Sequence, residues 1–487
     1  MVAYIPKKQS GKYKAIASGA ITNGKPVVVN ANGTISQIKE SAEALGTETQ
    51  HNTGSSTDHH FAVYDSNSER IVLFYQDSGN SYRGTARVGE IDPSDNSISF
   101  GAETLFDDAG SSTEMRAVFD AGTNRVVVVH MDNGNEYPIA TVGSVDPSDN
   151  SISFGTPVVY HSYLNVEPTI ACNNDGKIVV TAFRNTSGAN KGLCYVGTID
   201  PSDNSVSFGS IVTFNDAETN VVCPTFDSNS NKIVIGYEDG GDSDKGKVII
   251  GTISGTDISF GTAVQFGTSS IRSIGFDSNS NKIVVTENHS STGRARVGTV
   301  SGTGISFGTV ATFKSGTVLS TVQTFNTAVN KMIICYDSNE TDLEYVTATI
   351  SGTDISFTTP VVYSLANGSI PVACAYDSNT DRTFFGYRDK FNEDSGGPNR
   401  GSSRVLSTAV PTNITAENYI GIASGGTYAS AAEATVDVVG TVNKDQTSLT
   451  AGQTYFVQAD GALGTSADTV SVVAGTAISA TELIVKG

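Results

Sequence analysis

The phrase FDSNSNKIV occupies residues 226–234 and recurs at 276–284. Looser versions stand at 63–72 (VYDSNSERIV), 118–127 (VFDAGTNRVV), 170–179 (IACNNDGKIV), 324–333 (TFNTAVNKMI) and 375–384 (AYDSNTDRTF). The residue before each turn is Tyr64, Phe119, Cys172, Phe226, Phe276, Phe325 and Tyr376, at successive spacings of 55, 53, 54, 50, 49 and 51. A period near 50 with strand-like contents is that of β-propeller blades.

Each repeat reads as four strands. The first ends at the column above. In the DSNSNK turn that follows, Asx and Ser side chains bond the local backbone. The second strand is an unbroken apolar run such as KIVIGY or RIVLFY, which implies burial on both faces. The third is of the GTARVGEI type and the fourth of the ISFGTPVVY type. The turn between these two is DPSDNS in the first three repeats and the shorter SGTD or SGTG in the next three.

The seventh repeat has a first strand (373–376), a second (383–388) and a third (403–409), then stops at Pro411 without a fourth. Residues 44–51, ALGTETQH, resemble the missing piece. Pairing them with the last repeat removes a free sheet edge. The expected fold is therefore all-β: a seven-bladed propeller of four-stranded blades over 44–410, the last blade closed by 44–51.

Residues 1–43 and 411–487 contain related hairpins. ITNGKPVVVNANGTI (21–35) aligns with LTAGQTYFVQADGAL (449–463), matching Gly24 to Gly452, Val29 to Val457 and Gly33 to Gly461. NG and DG turns are strong hairpin signals. The two ends are expected to build one small β domain, the N-terminal and C-terminal halves of an attachment module. Strand direction places it on the face that carries the repetitive turns, leaving the variable loops on the opposite face.

Among the 487 residues, Asp plus Glu number 50 and Lys plus Arg 30, a net charge of −20. An acid excess repels phosphate backbones and anionic membranes, so neither nucleic acid nor membrane insertion is expected. MVAYIPKKQSGKYK lacks the apolar core of a signal peptide. The five cysteines (172, 194, 223, 335, 374) show no CxxC spacing and read as buried small side chains.

Binding on a repeated scaffold usually sits in the variable loops. The candidate ligand-binding residues are Asp77, Asn80, Tyr82, Asp132, Asn135, Tyr137, Asp239, Asp242, Asp389, Phe391 and Glu393. The polar column Asp77, Asp132, Arg184, Asp239, His289, Ser338 and Asp389 ends the second strands. It is either a cation or sugar site or, as the plainer reading, a set of solvated residues capping strands. Tyr75, Tyr237, Tyr336 and Tyr387 read as core. His59 and His60 lack a zinc spacing and, with the other histidines, read as loop residues.

The DSNSNK turn starts like a calcium loop, but a basic residue (Arg70, Arg125, Lys177, Lys232, Lys282, Lys331, Arg382) stands where such a loop needs glycine. That cation opposes a divalent metal and can instead pair with the turn aspartate. No metal or other cofactor is expected, calcium being the alternative. No catalytic motif is present. Asp239, or Asp389 with Glu393, would be the carboxylates of a glycosidase, but no tryptophan supplies the usual sugar-stacking platform, and the expectation is a non-enzyme.

FDSNSNKIVV and VGTVSGTGISFGT, with NITAENYIGIAS, SLTAGQTYFVQADGALGT, VVAGTAISATELIVKG and the opening IPKKQSGKYKAIASG, resemble propeller-repeat virion and tail-fibre-like structural proteins of tailed, particularly marine, phages. The resemblance covers nearly the whole chain. It implies a virion protein made in the host cytoplasm, displayed outside as a tail-fibre or appendage component. Its partners would be other virion proteins and a host-surface glycan or protein receptor, with a homo-oligomer as one form of attachment. Capsid decoration and a bacterial lectin-like adhesin are the alternatives.

Overall fold

The computed structural model describes residues 11–39, 42–107, 110–134, 136–162, 167–182, 190–268, 270–289, 292–338, 342–364, 373–389, 399–409, 412–468 and 470–486. These are all-β, in antiparallel sheets mostly of five strand segments. The chain divides into two compact units, one of residues 44–407 and one combining 1–43 with 408–487.

In the larger unit each repeat folds back and forth into one sheet. The first contains Thr57–Asp65, Arg70–Asp77 and Arg83–Asp92, each antiparallel to the next. The second strands are buried along nearly their whole length, as in IVLFYQD of 71–77. In the seventh repeat, residues 44–52 supply the outer strand as expected: Ala44 pairs with Ser407, Leu45 with Leu406 and Asn52 with Gly401. Apolar side chains fill seven layers, each between consecutive sheets. The last layer sets Leu73 and Tyr75 of the first sheet against Phe384 and Val405 of the seventh.

The expected single fourth strand is broken in every sheet, for example into Ser97–Phe100 and Thr104–Leu105, both paired with Arg83–Asp92. The break follows from close approach. A Cβ on Gly101 would lie 1.9 Å from the Asn150 carbonyl oxygen in the next repeat, and one on Gly46 1.9 Å from that of Asn96. Gly155, Gly209, Gly261 and Gly308 meet Asn204, Thr256, Thr303 and Thr353 in the same way. The sixth repeat has Thr358 instead, and the sheet that follows it has no third-to-fourth turn. In the third repeat the outer strand also runs on as Val212–Asp227, joining two sheets into one of nine segments.

Among the described residues no ion pair joins the basic residue after the first turn to that turn's aspartate. Asp227 and Asp277 instead accept the backbone N–H groups two and three residues on, at 2.9–3.1 Å. The arginines reach the next repeat. Arg70 Nε donates to Asn150 Oδ1 at 2.7 Å, Arg125 to Asn204 at 2.6 Å and Arg382 to Asn96 at 2.5 Å. Each also donates to the proline carbonyl of the same DPSDN turn. The four lysines precede an SGT turn or, for Lys331, the sheet without one. Lys177, Lys282 and Lys331 donate to Thr198, Thr299 and Thr349 on their own third strands.

The smaller unit holds two sheets. One runs Lys12–Ile16, Glu433–Val438, Tyr419–Ala423, Pro26–Val29, Ile35–Gln37, so strands from the two chain ends interleave. The other lies within 442–485. Val28 and Ile422 of the first share a core with Tyr455, Val457 and Leu483 of the second. The aligned hairpins match in backbone as well. Gly24 and Gly452 have φ of 77° and 83°, and Gly33 and Gly461 have 82° and 78°. Their connections span five residues, 30–34 and 458–462, with glycine at the left-handed position.

Candidate functional site

The carboxylates that end the second strands are turned inward. Asp77 is buried, caps the single turn Ser78–Asn80, and accepts from Gly79 N at 2.8 Å and from Asn52 Nδ2 and Asn80 Nδ2 at 3.1 Å each. The Ser55 hydroxyl also donates to it. Asp132 is buried and accepts from Gly134 N at 2.8 Å. Asp239 is buried and meets Lys247 Nζ at 2.7 Å. Asp242 meets Lys245 at 2.8 Å and Lys247 at 2.9 Å, and their hydrogen bonds pull its carboxyl down to about 2. Asp77, Asp132 and Asp239 end their strands as buried rather than solvated residues, while Asp242 is partly exposed. A buried acceptor needs several donors, and each loop folds to supply them.

Tyr82 is 56% exposed at φ 63°. Tyr137 opens the third strand opposite Asp132, and Asp389 is half-buried opposite Arg400. Asn135, Phe391, Glu393 and Arg184 lie outside the described residues. The structure brings Asp77 together with Asn80, and Asp239 and Asp242 around one lysine. These groupings are local to each loop.

The tyrosines are core, and three donate to carboxylates, Tyr336 to the buried Glu344, Tyr75 to the exposed Glu103 and Tyr387 to the exposed Glu48, at 2.7–3.0 Å. The histidines depart from expectation. His51, His60, His130 and His161 are buried, and His60 lies within Thr57–Asp65. His51 and His60 meet edge to face with centroids 5.2 Å apart. Burial drives the His60 imidazole down to about 3 and lowers that of His51 well below its usual range. His130 Nε2 sits 2.9 Å from the buried Asp107 carboxylate. All five cysteines are free, and burial raises the thiol of Cys223 to about 11.

The first strands enclose three abutting cavities. The middle one, of about 210 Å³, is lined by first-strand residues of all seven repeats, among them Phe61, Arg116, Ile170, Cys223, Arg272, Thr321 and Cys374. Toward the repetitive turns it meets a cavity of about 550 Å³ rimmed by the repeat-marking column: Tyr64, Phe119, Cys172, Phe226, Phe276 and Tyr376. The third, of about 460 Å³, is polar and includes Asp58, Glu114, Arg116, Arg272, Ser320 and Arg388.

Backbone strain gathers at this third cavity. His59, Glu114 and Val221, all in its lining, have φ of 50°, 51° and 42°. For a β-branched valine this is a genuine outlier, and such strain clusters at functional sites. Each sits at a register shift between first and second strands, at 58/61, 113/116 and 220/222. A bulge of this kind re-aims side chains. The lining residues were missed in the sequence. The available signal was arginine at 116 and 272, three and four positions before an aromatic marker, in strands otherwise filled mainly by apolar and small polar residues.

Among the described residues no group of three or more His, Cys, Asp or Glu side chains is placed to hold a metal ion, and no helix is long and apolar enough to cross a membrane. Neither a protein-family model nor a curated protein matches the sequence.

Proposed function

We propose that the chain is a non-catalytic recognition component of a tailed-phage virion, a seven-bladed β-propeller carried by a β unit made from both chain ends. The observation that carries this reading is the pairing of Ala44 with Ser407. The chain enters and leaves the seven-repeat unit through neighbouring residues of one sheet, as suits a head presented from a mount. The seven interlayer cores and the outer strand donated by 44–52 support the propeller. The phage resemblance of the repeats and of the closing module supports the placement. The mount (1–43 with 411–487) binds other virion proteins, and the propeller meets a host-surface glycan or protein.

Imaging purified particles with the full chain labelled tests the reading. Label on a tail appendage is the expected outcome. Label confined to the head makes the chain a decoration protein, and absence from particles overturns virion membership.

A further inference from the structure

The polar cavity brings together the cations of Arg116, Arg272 and Arg388 and the carboxylates of Asp58 and Glu114. Arg116 belongs to the second repeat and Arg272 to the fifth, yet both line the same two cavities. They converge on Cys223 of the fourth repeat: Cys223 Sγ contacts the Arg272 carbonyl at 3.5 Å, and both guanidiniums pull on its thiol against the effect of burial. Arg116 donates to the carbonyl of Met115 at 2.7 Å and lies 5.7 Å over the ring of Phe61. Arg272 Nε is buried without a partner. Among the described residues neither arginine forms an ion pair. The third arginine, Arg388, is taken by Asp58 at 2.5 Å.

Two like charges held toward one enclosed space repel each other, and a buried donor without an acceptor costs free energy. An anion placed between them relieves both, and a guanidinium matches a carboxylate in geometry. Beside Glu114 and the apolar Val221 and Val322, the lining offers hydroxyls and an amide: Ser320 and Thr321 in the polar cavity, Ser273 and Gln323 in the middle cavity that adjoins it. Thr321 and Ser273 already share a hydrogen bond at 2.8 Å. Such groups suit a ligand rich in hydroxyls, and about 460 Å³ falls in the range of small-molecule sites.

We propose that this cavity binds an acidic sugar, with the carboxylate held between Arg116 and Arg272 and the sugar hydroxyls met by the Ser, Thr and Gln side chains. The inference rests on the recognition reading above and names its ligand class. It moves the site from the variable loops to the first strands.

Glucuronate is titrated into the full chain, with glucose as the neutral control. Glucuronate is expected to bind at least about tenfold more tightly than glucose, and R116Q and R272Q each to weaken it by about tenfold or more. Arg272→Lys, which keeps the charge and loses the fork, is expected to fall between. It also decides the matter should R272Q fail to fold. Equal binding of the two sugars, or unchanged affinity in both arginine variants, overturns the proposal. Adhesion of the full chain to bacterial cells is scored separately. A chain that adheres but ignores glucuronate overturns the arginine site and leaves recognition standing. A chain that binds glucuronate through both arginines but neither adheres nor joins a particle leaves the site standing and overturns the recognition reading.

Discussion

Arg382 and Asn96 stand 286 residues apart in sequence, and the guanidinium Nε of the first donates to the side-chain oxygen of the second at 2.5 Å. The same arginine also holds the carbonyl of Pro93 at 2.9 Å. This clamp ties the seventh repeat to the first, as Arg70 and Arg125 tie the first to the second and the second to the third. It explains why the basic position alternates between Arg and Lys. The residue type in one repeat follows the turn type in the next, because only the longer DPSDN turn offers both an amide oxygen and a free carbonyl to a fork of donors.

Arg382→Met is therefore expected to lower stability by about 1–2 kcal/mol, with Arg382→Lys recovering only part of the loss. Lys282→Met, which removes a single bond within one sheet, is expected to cost less than about 1 kcal/mol. Urea unfolding of the three variants checks the order.

Gly101→Ala drives a methyl group against the Asn150 carbonyl at a nominal 1.9 Å. Backbone cannot move aside as a flexible side chain does, so a loss of about 1–3 kcal/mol is expected. Gly54→Ala, whose added carbon meets nothing within 4 Å, is expected to stay within about 0.5 kcal/mol. Thermal unfolding separates the two.

Asp77→Ala leaves Asn52, Gly79 and Asn80 without their shared acceptor. A cost of at least about 2 kcal/mol in stability is expected, with the loop Ser78–Asn80 loosened. Amide hydrogen exchange at Gly79 reads the second effect. Unchanged exchange there together with an unchanged melting temperature would sink the capping role and return Asp77 to the ligand candidates.

The folded His60 titrates near 3 because burial excludes its charged form, whereas in the unfolded chain it titrates near its usual 6.5. Between these values the unfolded state binds more protons, so stability is fully present above pH 6.5 and falls as the pH drops toward 3. The expected loss from His60 between pH 7.5 and pH 5 is about 2 kcal/mol, and His51 acts in the same direction. Denaturant midpoints at the two pH values, compared with those of His60→Phe, measure it. An equal pH dependence in that variant would contradict the assignment.

Much of the architecture was legible because it is written in local signals. The DSNSNK turns, the apolar second strands and the related hairpins at 21–35 and 449–463 depend on near neighbours in sequence. Even the long-range pairing of 44–51 with the last repeat could be read, from a strand missing at one end and left over at the other. What stayed hidden depends on what the next repeat presents. The glycine break at 101 makes sense only beside Asn150. The inward turn of Asp77 needs donors from Asn52 and Ser55 as well as from its own loop. His60 read as a loop residue because its chemistry is polar, and Arg116 drew no reading at all. The bulges that place them follow from packing among seven first strands, which no single repeat encodes.

The outer strand of the seventh sheet is the first part of that unit to be synthesised, and its partner Arg400–Ser407 is the last. At roughly 5–20 residues per second, residues 44–52 wait on the order of 20–70 s for the strand they complete. Six sheets have time to form on the ribosome before the seventh can exist. The waiting segment is short and largely polar, TETQHN at 47–52, and so is a poor template for pairing with another chain. Completion of the seventh sheet is thus a terminal event, and a protein truncated before Arg400–Ser407 leaves residues 44–52 without the strand they pair with.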